Sequence, residues 1–82
     1  MQNTSNPFNL TAVISYVLPE NAHVSLIVYN ILGQQVSELV NGEVGAGYHQ
    51  AVFNASRLAS GIYFYRLTTD KFTQINKMLL MK

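Results

Sequence analysis

The chain predicts an all-β fold, a small antiparallel sandwich or barrel of about six to seven strands. Three observations carry this. Apolar residues alternate with polar ones at a period of two in most of the longer runs. Turn residues recur at intervals of roughly 8–12 positions, which suits an antiparallel sandwich. No segment carries apolar residues at the 3.6-residue spacing of an amphipathic helix.

The elements follow in order. The opening "MQNTSNPFN" is polar, contains Pro7, and reads as a lead-in. "AVISYVL" alternates, with Ile14, Tyr16 and Leu18 to one face and Val13, Ser15 and Val17 to the other. Pro19 and Asn21 break it. "HVSLIVYNI" follows, with Val24, Leu26 and Val28 on one face. Leu32-Gly33 turns the chain, because Gly adopts a positive φ without steric cost. "QQVSELV" returns as a strand. Asn41-Gly42 is a strong short-range hairpin signal, and "EVGAG" extends that connection. "YHQAVFN" places Ala51 and Phe53 on one side. "ASRLASG" is an irregular crossing with room for one helical turn, and it ends at Gly61. "IYFYRLTT" is aromatic and β-branched; Tyr63, Tyr65 and Leu67 alternate against Ile62, Phe64 and Arg66. Thr69-Asp70-Lys71 turns the chain into "FTQINKMLLM". There, Met78 and Leu80 point one way and Leu79 and Met81 the other, and the apolar run suits a strand covered on both faces within a sheet. The expected core is Ile14, Tyr16, Leu18, Val24, Leu26, Val28, Val36, Leu39, Phe53, Tyr63, Tyr65, Leu67, Met78 and Leu80. Gly33, Asn41, Gly42 and Gly61 are expected to serve turns. Ile27 and Phe64, opposite the core face, are expected to mark a protein-binding surface.

Composition narrows the function. Eighty-two residues make one domain. There is no Cys, so neither a disulfide nor a thiolate metal site is available. A net charge of +1 gives no footprint for nucleic acid. Charged residues are 11% of the chain, against roughly 25% in soluble domains generally. Such a weakly charged surface suits contact with another protein. Catalytic arrangements are missing. The four acids, Glu20, Glu38, Glu43 and Asp70, fall mostly in or beside turns, where carboxylates are solvated. His23 and His49 have no ligand-like spacing, and Glu38 with Glu43 is too small a cluster for calcium. "NGEVGAG" lacks the Lys-Ser/Thr of a phosphate loop. Sequons stand at Asn3, Asn9 and Asn54. Tyr48 and Phe64 are the aromatics expected at the surface, with Tyr63 and Tyr65 in the core. The residues thus point to a small antiparallel β-sandwich that is not an enzyme and needs no cofactor.

Four stretches resemble one family. They are "NPFN" at Asn6–Asn9, "VYNILGQQVSELV" at Val28–Val40, "LASGIYFYRL" at Leu58–Leu67 and "KMLLMK" at Lys77–Lys82. In this order and spacing they resemble the C-terminal sorting domain of proteins exported by the type IX secretion system of Bacteroidota. The resemblance implies an Ig-like antiparallel β-sandwich, shared with the flagellar hook-capping protein. It implies that residues 1–8 are linker remnant and residues 9–82 the sorting domain. It implies a covalently linked upstream passenger, carried through the periplasm and across the outer membrane, to be secreted or held on the cell surface. The partners it implies are the type IX translocon and a sortase-like peptidase that cuts in the linker; weak self-association is expected separately, from edge strands and outward apolar residues. Its sorting-signal residues correspond to Lys77, Met78, Leu79, Leu80, Met81 and Lys82, the chain end being part of the address. The chain departs from the family pattern at Gln34 and Gln35, where a basic residue is common, at Asn54, where Asp is common, and at Leu10. An Ig-like structural or carbohydrate-binding accessory domain is the alternative.

Overall fold

The structure, a computed structural model, describes residues 11–81. Asn3, the "NPFN" stretch, the expected linker and Lys82 lie outside the described residues. The described residues form six strands: β1 (Thr11–Leu18), β2 (Ala22–Asn30), β3 (Gln35–Val44), β4 (Gly47–Asn54), β5 (Gly61–Thr68) and β6 (Thr73–Leu80). All pairings are antiparallel. One sheet has two strands, β1 and β4, and the other has four in the order β3-β2-β5-β6.

The alternation read from the sequence generates the core. Val24, Leu26 and Val28 of β2 are fully buried. They meet Ile14, Leu18, Ala51 and Phe53 from the two-stranded sheet and Tyr63, Leu67 and Leu80 from the four-stranded one. Tyr16, Val36, Leu39, Tyr65 and Met78 pack against this cluster, so the expected core set lies in it or against it. Ala55, in the crossing from β4 to β5, is buried as well. Face-to-face packing of two sheets, each with one apolar face, is the arrangement of a β-sandwich. Burial is complete along the inner face of central β2 and incomplete on β3 and β6, the outer strands of the larger sheet.

The β2–β3 hairpin turns at the expected place. Asn30 organises it. Its Oδ1 accepts from the Leu32 N–H at 2.9 Å and the Gln34 N–H at 3.0 Å, and its Nδ2 donates to Gln34 Oε1 at 2.8 Å. The Gly33 N–H donates to the Asn30 carbonyl at 3.0 Å. Gly33 has φ +84°, a left-handed conformation that other residues adopt only with strain. Gly61 opens β5 opposite Leu80, leading into the aromatic strand as expected.

Asn41-Gly42 departs from the sequence reading. It is not a turn. Both residues lie inside β3, paired with Ser25 and Val24 of β2. The ladder continues to Ala22 opposite Val44, and Val44 packs on the core. A two-residue hairpin at Asn41-Gly42 would forfeit those pairings and put β3 and β4 in one sheet. Instead β4 pairs with β1, and the chain changes sheets around Gly45 and Ala46. Asn21 Oδ1 accepts from the Ala46 N–H at 2.8 Å, and the His49 ring bonds the Gly45 carbonyl at 2.6 Å. Gly42 still carries a positive φ, +159°, which other residues rarely adopt, but it does so within the strand and not in a turn.

Candidate functional site

β6 carries most of the residues singled out for recognition. Among the described residues it pairs with β5 alone, from Thr68–Thr73 to Gly61–Leu80. It is therefore the edge of its sheet, and the expectation of an internal strand covered on both faces is corrected. The two-stranded sheet covers the inner face of β6 only in part, and its outer face stands open. Alternation then divides the apolar run. Leu80 is 4% exposed and anchors the strand in the core. Met78 packs half-buried against the same cluster. Leu79 is 63% and Met81 73% exposed, and Lys77 is exposed too. On the inner face, Asn76 Nδ2 donates to the Tyr65 hydroxyl at 3.1 Å, and the Tyr63 hydroxyl donates to the Ala59 carbonyl at 2.9 Å. These bonds satisfy the polar tips of two core tyrosines.

The outer face of the four-stranded sheet continues from β6 onto β5 and β2. Lys77 sits opposite Phe64, and Ile75 opposite Arg66. The Arg66 guanidinium stacks over the Tyr29 ring, 5.1 Å from its centroid, a cation–π contact that fixes its position. Tyr29, Phe64, Arg66 and Ile75, with Ile31 and Gly33 of the hairpin, line an open groove of about 280 Å³. Ile31, Leu32 and Ile75 are exposed. Arg66 and Lys77 make this end cationic, whereas Glu38 and Glu43 lie on the far strand β3. Glu43 and His23 form an exposed pair at 3.5 Å, of the kind that contributes little to stability.

Ile27 is not part of this surface. It is 9% exposed. It lies on a central strand, paired on either side with Arg66 and Glu38. Phe64, on the other inner strand of that sheet, is half-buried. On the four-stranded sheet and its hairpin, the exposed large apolar residues are Ile75, Leu79 and Met81 on or beyond the edge strand, and Ile31 and Leu32 at the hairpin tip. Applying the period of two to the outer faces would have found Ile75 and Leu79, but not their neighbours across the sheet. Tyr48 is exposed as expected, and Tyr16, stacked at 5.5 Å on His49, has its phenol pushed up by burial.

The described residues contain no group of three or more His, Asp or Glu that could hold a metal ion, and no helix long and apolar enough to cross a membrane. The family described as the secretion system C-terminal sorting domain matches residues 5–81, nearly the whole chain. No curated protein and no solved structure matches it.

Proposed function

Because the chain belongs to the family of secretion system C-terminal sorting domains, we propose that the outward side of its last strand is what the export machinery reads. The domain is a sorting signal for type IX secretion, from a family of signals rather than catalysts. Such a tail is linked to an upstream passenger and directs export across the outer membrane to the surface or the extracellular space. The finer reading concerns residues. Residues 9–82 form the sorting unit, and residues 1–8 are linker in which a sortase-like peptidase cuts after passage through the periplasm. Lys77, Leu79 and Met81 face the translocon, while Met78 and Leu80 hold β6 to the fold. One observation carries this assignment: an edge strand exposes Leu79 and Met81 although burying them would be favourable, by roughly 1.5–3 kcal/mol for each fully buried side chain. Free backbone donors and acceptors along such an edge also suit strand addition by a partner. The same edge offers a route to weak self-association.

The test fuses a reporter upstream of the domain in a bacterium with type IX export. A Leu79→Asn/Met81→Asn variant should melt within a few degrees of the parent, because both side chains are already solvated. Its surface delivery should be lost. Undiminished delivery by a folded variant would remove the assignment.

A further inference from the structure

The second open face of the sandwich is the outside of the β1–β4 sheet, and it is apolar without charge. Val13 lies opposite Val52, and Val17 opposite Tyr48, and all four are exposed. Between them, Ser15 lies opposite Gln50. These polar groups already have partners. The Tyr48 hydroxyl donates to Ser15 Oγ at 3.1 Å and accepts from Gln50 Nε2 at 2.9 Å. A surface laid over this face would leave those contacts in place, so covering it costs less desolvation than burying the same groups unpaired. The outer face of the four-stranded sheet, by contrast, would bring Arg66 and Lys77 with it.

We infer that this face docks the domain that precedes it in the same chain, through an uncharged apolar patch on that domain. The inference rests on the sorting-domain reading, which supplies the upstream passenger. Two arguments select this occupant. The first is connectivity. The segment 1–10 runs directly into Thr11, the first residue of β1, two positions from Val13. The second is area. Two strands about 4.8 Å apart, with their side chains, make a face on the order of 300 Å². A stable complex of separate molecules takes roughly 800 Å² from each partner, so a second copy is poorly held. Interfaces between domains of one chain begin at about 600 Å² in total, and a link through the same chain raises the effective concentration without any further contact.

The test uses the full passenger-bearing chain. The domain has no native Cys. Val52 and Ile31 are equally exposed in it, both at 66%, so Ile31→Cys, at the hairpin tip and off β6, is a matched control for Val52→Cys. An uncharged maleimide is added and each adduct is mapped by mass spectrometry. Docking predicts that Cys at 52 reacts at least several-fold more slowly than Cys at 31, at all protein concentrations. Val13→Cys serves as a second probe should Val52→Cys fail to fold. Equal rates overturn the inference. Protection that appears only on concentration overturns it in favour of self-association. Surface delivery of the same variants is scored separately: a chain that is delivered yet labels at equal rates sinks the docking and leaves the sorting function standing.

Discussion

Replacing Leu80 with Ala should unfold the domain far more readily than replacing its neighbour Leu79, although both belong to one apolar run. Leu80 is 4% exposed and belongs to the buried cluster. Truncating such a side chain costs the lost transfer energy plus a cavity term, about 2–5 kcal/mol in all. β6 is an edge strand near the end of the described chain, and its surroundings can relax toward the gap, which favours the lower part of that range, about 2–3 kcal/mol. Leu79 is 63% exposed. Only about a third of its surface is covered, so Leu79→Ala costs under about 1 kcal/mol. For a domain of this size each kcal/mol moves Tm by roughly 4–8 °C. Leu80→Ala should therefore lower Tm by roughly 8–24 °C, and Leu79→Ala by less than about 8 °C. Thermal unfolding followed by circular dichroism gives the order. Urea titration with an unchanged m-value confirms that stability, and not compactness, has changed. Equal losses, or a larger loss for Leu79, would mean that β6 is rotated or covered on its outer side. The assignment of Leu79 and Met81 to recognition would go with it.

Gly33→Val should destabilise by about 1–2 kcal/mol, because φ +84° forces a β-branched residue into left-handed backbone although open space surrounds the position; an unchanged urea midpoint would contradict the turn geometry. Burial raises the Tyr16 phenol above its ordinary 10.0. The folded state then holds that proton more tightly than the unfolded chain does, so this contribution to stability is fully present below pH 10 and declines as pH rises above it. Tyr16→Phe should flatten part of the alkaline fall in urea stability, and an identical fall in parent and variant would discount the effect.

What the sequence made legible was the face each residue takes, and what it hid was which strands are neighbours. Val24, Leu26 and Val28 alternate with polar or outward-facing residues, and a period of two needs no partner to be read. Gly33 follows Asn30 at turn spacing, and both signals are local. Asn41-Gly42 misleads for the opposite reason. Its hairpin preference is local, and it yields to the pairing of β3 with β2 along Ala22–Val44 and to the pairing of β4 with β1. Ile27 shows the same limit. Its outward direction is correct, but its burial goes with the central place of β2, between Arg66 and Glu38 of the neighbouring strands, which only the strand order sets. The division of Met78 and Leu80 from Leu79 and Met81 was likewise readable, whereas the edge position of β6 was not. The Val13–Val52 face required knowing that β1 pairs with β4, which lies beyond two intervening strands.

One strand in this fold has to meet two demands, and the period of two lets it do so. An apolar edge strand with open backbone groups is a template for aggregation. Simply making β6 polar would protect the domain, but would remove Leu80 from the core and Leu79 from the surface a partner would grip. The alternation separates the demands. The inward residues Met78 and Leu80 secure the strand. The outward row reads Ile75, Lys77, Leu79, so a charge interrupts the apolar side chains on the open face. Arg66, held over Tyr29 on the adjacent strands, adds a second positive charge to that face. Two copies brought edge to edge in this region would set like charges near one another, which disfavours indiscriminate stacking. A partner strand bearing acidic residues between apolar ones would meet the same face without that penalty. On the proposed reading, Lys77 thus keeps self-association through this edge weak and favours a complementary partner, the property a solvent-exposed sorting strand needs before it reaches its receptor.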